Sequence, residues 1–377
     1  MKKISILGAG LVGKAIAVDL HKNFEVTSYD VDDKGLNFLN DKFNINVVKS
    51  DLSKEKNIQN AVKHADLVVN ALPGFMGYKT IEVIINLAKD VIDISFFPED
   101  PFGLDDAAKE KNVTVVTDCG VAPGMGNIIC GYHNEHMMMK DYKCFVGGLP
   151  FVREWPFDYK AVFSPIDVIE EYTRPARYIQ NGELIIREAL SDGEHMFFEK
   201  AGTLEAFNSD GLRSLMDTME IPNMIEKTLR YPGTVEYMRM LRACGFFSKE
   251  EVELKGNKIV PLDLTAKLLF PKWELKEGEE EYTIMRVICE GLENGLNVRY
   301  TYDLFDVYDK ASQTTSMART TGYTCTAAVN LFFDGHYNRK GISPPEYLGK
   351  SDQNFKYILD YLADRSVIYD VKKEIIN

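Results

Sequence analysis

The sequence predicts an α/β protein. A doubly wound parallel sheet comes first, and an α+β domain with a mixed or antiparallel sheet follows it. Three observations predict this. Apolar β-type runs alternate with segments of helical period through the first third of the chain. A glycine-rich turn joins the first run to the first helical segment. Beyond Gly131 the pattern changes to β-type runs broken by Asn-Gly pairs.

In chain order the first strands read ISILGA, EVTSYD, NVVKSD, DLVVNALP, VIDISF and VTVVTDCG. Between them lie GLVGKAIAVDLHKN, KGLNFLNDKF, KNIQNAVKHA, GYKTIEVIINLAKD and GLDDAAKEKN, each helical in period. Near-continuous apolar strands belong to a sheet covered on both faces. KCFVGGLP then predicts a short strand closing on Gly147-Gly148. Asn181-Gly182 and Asn294-Gly295 each predict a hairpin, since both residue types tolerate positive φ. Helices are expected in GLRSLMDTMEIPNMIEKTL and YPGTVEYMRMLRACG, and a solvated loop in the acidic run ELKEGEEEY. The stretch TTSMARTTGYTCTAAVNLFFDG predicts a helix stopped by Gly335. Its small residues predict tight packing back onto the first domain. The expected organisation is a first, doubly wound domain over 1–122, a second, α+β domain over 123–316, and a segment over 317–377 that packs back onto the first domain.

Bulk properties narrow the function. The 377 residues suffice for about two domains. A composition of 45% hydrophobic and 27% charged residues is that of an ordinary globular protein. A net charge of −13 argues against nucleic acid or an anionic membrane as partner. Gly8, Gly10, Gly13, Lys14 and Asp19 interrupt what would otherwise imitate a signal peptide, and no run is long and apolar enough to span a bilayer. Six scattered cysteines without a CxxC pair fit a reducing cytoplasm.

The first turn, Gly8-Ala9-Gly10-Leu11-Val12-Gly13, carries the GxGxxG spacing between a strand and a helix. Gly8 permits the tight turn, Gly10 lets backbone approach a pyrophosphate, and Gly13 lets helix and strand pack closely. The helix start offers free N–H groups to the phosphates. Asp30, 22 residues after Gly8, closes the second strand where a ribose would lie. This combination is the Rossmann dinucleotide fingerprint. A carboxylate at Asp30 accepts ribose hydroxyls and repels a 2′-phosphate, so NAD is the expected cofactor. Asp51-Leu52 falls near the adenine, with helix capping by Asp51 the alternative.

Ligands in such sheets lie beyond the carboxyl ends of the strands. The residues placed there are Ala71-Leu72-Pro73, Ser95-Phe96 and Asp118-Cys119. Asp118 is the first candidate for a general base beside the nicotinamide; its plain alternative is a helix-start cap. Lys79 is a second candidate base, or a surface lysine. Pro123 falls in a first helical turn, and the N–H groups of Gly124 and Met125 are expected to hold an anion.

The segments DCGVAPGM, VGGLP, EEYTRPARYIQNGEL, LEAFNSDGLRSL and SMARTTGYTCTAA, with the N-terminal ILGAGLVGKAIA and DLVVNALPG, resemble the saccharopine dehydrogenase-like oxidoreductases over nearly the whole chain. Within that family they are most similar to the lysine 6-dehydrogenase branch. The resemblance implies NAD-dependent oxidation of the side-chain amine of lysine to allysine, which cyclises, with release of ammonia. It also implies oligomerisation through the middle domain, as a homodimer or homotetramer. Neighbouring branches act on saccharopine or carboxynorspermidine-type adducts and remain the alternative. A non-catalytic NAD-binding sensor is the alternative from another class.

Oxidising an amine requires its free lone pair. Lysine's amine has a pKa of about 10.4, so a base must take a proton first. An amino-acid substrate also needs a carboxylate anchor. Arg174 is the best clamp, with Arg177, Arg213 and Arg319 in reserve. Glu205 and Asp210 are candidates for an α-ammonium, Asp210 alternatively for a turn. Tyr172 lines the pocket or packs in the core. No metal is expected: HNEH at His133–His136 is one residue short of the inverted zinc pattern, and Cys119 has no histidine beside it in sequence.

Overall fold

A computed structural model describes residues 1–276 and 278–376. The chain forms two compact units: Met1–His136 with Met317–Ile368, and Met137–Ser316 with Tyr369–Asn377.

The first unit begins with a strict alternation of strand and helix: β1 (Lys3–Leu7), α1 (Leu11–Leu20), β2 (Glu25–Asp30), α2 (Asp33–Phe43), β3 (Asn46–Lys49), α3 (Glu55–Val62), β4 (Leu67–Asn70), α4 (Gly74–Asn86), β5 (Val91–Asp93), α5 (Asp105–Glu110), β6 (Thr114–Val116) and α6 (Met125–His136). β4, β5 and β6 are buried at every position, as sheet strands covered on both faces must be.

The second unit follows with β7 (Met138–Pro150), α7 (Pro165–Thr173), β8 (Ala176–Gln180), β9 (Glu183–Arg187), β10 (Glu194–Phe198), β11 (Gly202–Asn208), α8 (Leu215–Thr218), β12 (Asn223–Arg230), α9 (Thr234–Ala243), the small hairpin β13 (Val252–Leu254) and β14 (Asn257–Ile259), α10 (Pro261–Trp273), β15 (Glu281–Glu293) and β16 (Leu296–Val307). The chain then runs through α11 (Ser316–Phe333), β17 (Gly341–Ser343), α12 (Glu346–Gly349) and α13 (Asp352–Ala363) before β18 (Tyr369–Ile375).

The first sheet has seven parallel strands in the order β17-β6-β5-β4-β1-β2-β3. Six of these strands are the predicted ones. The seventh, β17, is too short to declare itself in sequence and comes from the far end of the chain. The first unit continues past residue 122 to His136, because buried Asn127 of α6 donates to buried Glu346 of α12 at 3.2 Å. Residues 369–377 leave it, because β18 pairs with β16.

The second sheet is mixed, running β10-β11-β12-β7-β15-β16-β18, with only the β12–β7 pair parallel along that path. Both Asn-Gly pairs turn hairpins, β8–β9 and β15–β16, with all four residues at positive φ. β7 differs from its expected short form. It passes straight through Gly147-Gly148, where the Leu229 carbonyl would stand 2.6 Å from a Cβ on Gly147. The long helix expected over 211–229 is instead one turn, α8, followed by strand β12. The sheet partners β7 and β11 override the helical period there. The acidic run is loop only as far as Glu280; Glu281 opens β15 fully buried, and Glu277 lies outside the described residues.

Within the first unit α11 lies on α1. Asp19 of α1 is buried and accepts from Arg365 Nε at 2.9 Å, Tyr361 Oη at 2.7 Å and Thr326 Oγ1 at 2.8 Å. Burial raises the Asp19 pKa, but the Arg365 guanidinium and the hydroxyls more than offset it, leaving the carboxyl below its usual range. Exposed Lys22 also reaches Asp19, at 3.3 Å, so replacing Arg365 with Ala leaves the buried charge only that solvated partner, and urea unfolding is expected to show a loss of up to about 3–5 kcal/mol at neutral pH. Asp19→Asn combined with Arg365→Ala should recover part of that loss.

Candidate active site

The strand order reverses between β1 and β4, and that gap is the ligand crevice of such sheets. Its walls are the ends of these two strands. Gly8 has φ +107°, and a Cβ there would stand 2.6 Å from the Ala71 carbonyl oxygen. Gly13 is equally constrained, because a Cβ would collide with the Gly8 carbonyl. Gly10 differs from both: a Cβ would meet nothing within 4 Å. Gly8 and Gly13 are thus required by packing, while Gly10 keeps space open at the start of α1. That open cradle fits a dinucleotide pyrophosphate against the α1 N-terminus, with Leu11 and Val12 in its first turn.

Asp30 holds this loop from the neighbouring strand. Its Oδ2 accepts from Ala9 N at 2.5 Å and its Oδ1 from Asp32 N at 2.9 Å. Each carboxylate oxygen keeps a further lone pair for a ribose hydroxyl. Asp51, at the end of β3, accepts from Ser53 Oγ at 2.5 Å and from Lys54 Nζ at 3.1 Å. The Ser53 hydroxyl and then Lys54 draw its carboxyl below the usual range. Leu52 is buried in the hydrophobic core with Ile58 and Val62.

Three strand ends carry polar groups into one buried cluster. Asn70 closes β4, Asp93 closes β5, and Asp118 lies just beyond β6. Asp93 is fully buried; its Oδ1 accepts from Ser95 Oγ at 2.6 Å and Asn70 Nδ2 at 2.7 Å, and its Oδ2 from Ser95 N at 3.2 Å. Burial raises its pKa to about 8, with the Asp118 charge adding to the rise against these hydrogen bonds. Asp118 is 2% exposed, with φ +53°. Cys119, between the two carboxyls in charge terms, is held neutral mainly by burial. The cluster brings together Asp118 and Ser95, both expected, with Asp93 and Asn70, which sequence reading passed over. The signal was present: VIDISF sets an acid at the end of an apolar strand.

Other expectations are corrected. Asp118 does not start a helix: α6 begins at Met125, so Pro123 precedes its first turn. The N–H groups of Gly124 and Met125 are spent internally, on Asn127 Oδ1 at 3.2 Å and the Gly120 carbonyl at 2.9 Å. Lys79 is exposed, because α4 buries the face bearing Gly77, Thr80, Ile81 and Ile84. Leu72 is buried and Pro73 caps α4.

In the second unit, Arg174 ends α7 with its side chain largely buried, 3.7 Å from Glu170. Burial and the neighbouring Arg213 lower its pKa, while Glu170, Asp210 and Asp167 support its charge. Asp210 is occupied by Arg177 in a bidentate pair of 2.8 and 3.0 Å. Glu205 accepts from Gly233 N, the N-cap of α9, at 3.0 Å. Both acids therefore have structural partners in place of the expected ammonium. Tyr172 is fully buried in an aromatic core, its hydroxyl accepting from Arg230 Nε at 3.0 Å. Arg319 donates to the Arg365 carbonyl in the first unit. No group of three or more potential ligands that could hold a metal ion occurs among the described residues, and none of their helices is long and apolar enough to cross a membrane.

Comparison with known proteins places this geometry. Residues 4–116 match the family model of the saccharopine dehydrogenase NADP binding domain, and residues 120–368 that of the saccharopine dehydrogenase C-terminal domain. A saccharopine dehydrogenase [NADP(+), L-glutamate-forming] of Schizosaccharomyces pombe is 21% identical, over 92% of this chain and 94% of its own length. An alpha-aminoadipic semialdehyde synthase of Arabidopsis thaliana is 25% identical over 57% of this chain, which spans only 22% of that relative. Among solved structures, saccharopine dehydrogenase (L-Glu forming) from Saccharomyces cerevisiae covers 99% of this chain and all of its own with TM-score 0.79 at 18% identity, a likeness of fold.

Asp93 gives the site a pH signature. Its folded pKa of about 8 lies above the unfolded value, so its contribution to stability falls as pH rises between about 4 and about 8. Asp93→Asn escapes that loss. Its unfolding free energy relative to the natural protein should climb across this window by up to about 1.4 kcal/mol per pH unit, then level off. Urea melts at several pH values check this; a flat difference would contradict the assignment.

Proposed function

Because the chain belongs to the saccharopine dehydrogenase family, we propose that it is a pyridine-nucleotide oxidoreductase acting on the C–N bond of an amino-acid-derived secondary amine. This is the chemistry of a saccharopine or carboxynorspermidine dehydrogenase. The observation that carries it is the carboxyl end of the first unit's sheet, where the Asp30 carboxylate at β2, the open cradle at Gly10 beyond β1 and buried Asp118 beyond β6 lie on one side. Oxidation of free lysine, the reaction the sequence resemblance put first, has less support, since the matched relatives carry the names of saccharopine and semialdehyde enzymes.

Bound nicotinamide supplies the acceptor or donor of hydride. The remaining chemistry falls to side chains. Asp118 takes the proton of the substrate ammonium, exposing the nitrogen lone pair that assists hydride departure. It then assists water in attacking the substrate imine, and the C–N bond breaks to leave an amine and a carbonyl compound. Within the second unit, Arg174 beside Arg213 is the candidate group for binding a carboxylate, whose two oxygens match a guanidinium fork.

NAD is the proposed cofactor. The matched domain model is named for NADP, but Asp30 presents a charge where a 2′-phosphate would lie, and repulsion there costs several kcal/mol.

Steady-state assays with saccharopine and with lysine alone, each with NAD and NADP, test the proposal. Saccharopine should yield reduced NAD, and lysine alone should not; turnover of lysine alone would return the case to the simple amine dehydrogenase. Asp118→Asn should lower kcat/KM by about 10²–10⁴-fold. Asp30→Ser should move the NAD-to-NADP preference toward NADP by about tenfold or more, read from the two kcat/KM values.

A further inference from the structure

One stretch of the second unit faces solvent in a way its sequence does not suit. After α9 the chain runs through a turn into the β13–β14 hairpin and then into α10. The hairpin forms a sheet of its own and, among the described residues, pairs with no other strand. Every residue from 251 to 258 is exposed, Val252 and Leu254 among them. Two strands alone are marginal in water and take their stability from what covers them. The base of the hairpin is fixed: Leu262 N donates to the Ser248 carbonyl at 3.0 Å, and Thr265 Oγ1 to the Phe246 carbonyl at 2.7 Å.

The helices on either side show the same disposition. α10 buries Leu262, Thr265, Leu269 and Trp273, and leaves Leu264, Leu268 and Pro271 exposed at helical spacing. Leu268 is 60% and Leu264 49% exposed. α9 likewise buries Val235 and Met238 and exposes Met240. Together with Phe246, Val252 and Leu254, the side chains of Met240, Leu264 and Leu268 offer roughly 500 Å² of apolar surface. A polar rim around them brings that toward the about 800 Å² per partner of a standard interface. Leucines scattered singly would need no explanation, but a concentration on consecutive elements does.

Charge identifies the occupant. The chain carries a net −13, so two copies repel one another in general. Residues 234–273 carry seven basic and five acidic side chains, a net +2, and through this segment two copies meet with little repulsion. The signs are also arranged to match themselves. In an antiparallel two-fold pairing of α10 centred between Lys267 and Leu268, Leu264 falls opposite Pro271 and Asp263 falls opposite Lys272 of the second copy. An isologous contact requires such self-complementarity, which a contact with an unrelated protein does not.

We propose that the exposed faces of α9, the β13–β14 hairpin and α10 form a two-fold contact with a second copy of this chain, with α10 packed antiparallel on α10 and each Asp263 against the other copy's Lys272. The contact lies in the second unit and does not depend on the reaction proposed above.

Sedimentation velocity of the whole chain across a micromolar dilution series tests this. The natural protein should sediment as a dimer at the higher concentrations, and Leu264→Glu combined with Leu268→Glu should leave monomer. Circular dichroism checks that this variant is folded. Asp263→Lys alone and Lys272→Asp alone each set like charges opposite one another at two symmetric points, and each should raise the dimer Kd by about tenfold. The two together restore opposite charges and should return Kd to within about threefold of the natural value. That rescue decides the case if the leucine variant does not fold. A natural protein that stays monomeric, a dimer indifferent to the leucine substitutions, or single charge changes that the double change does not rescue would overturn the proposal.

Discussion

The dinucleotide crevice depends on one steric constraint: backbone against backbone where β1 and β4 end. Gly8 sits so near the Ala71 carbonyl that any side chain would collide with it, and Gly13 presses α1 onto the same turn. That closeness starts α1 immediately beyond the sheet edge, with its first N–H groups over the gap between the strands. Asp30 fixes the same turn from the other side by accepting from Ala9 N. Turn geometry and the proposed preference for NAD thus rest on one carboxylate, and under that proposal a substitution at Asp30 perturbs both.

The same logic places the acids. Parallel strands end on one side of the sheet, so residues far apart in sequence gather there without any loop having to carry them. Asn70, Asp93 and Asp118 meet for this reason. Burial raises the cost of charge there and lifts the Asp93 carboxyl above its usual range. A surface pair of the same acids would be screened and would titrate as ordinary carboxyls.

How much of this could be read from sequence follows from the range of the forces involved. The Rossmann turn, Asp30 and Asp118 were legible because strand, glycine spacing and strand end are local patterns. Both hairpins were legible because Asn-Gly dictates positive φ by itself. β17 was not, since three residues gain strand form only from their neighbour β6. β12 was misread as helix for the same reason: sheet partners overrode its period. Asp93 was passed over because its significance lies in being buried beside another acid. The candidate substrate acids failed similarly. Glu205 and Asp210 look available in sequence, but the fold commits one to a helix cap and the other to Arg177.

The central claim is that a dinucleotide lies across the β1–β4 gap and brings its nicotinamide to Asp118. A crystal structure with NAD bound measures this directly. The account predicts the pyrophosphate over Gly10 and the ring within van der Waals reach of the Asp118 carboxylate. A nicotinamide seated away from the ends of β5 and β6, or an Asp118 carboxylate turned from it, would contradict the account.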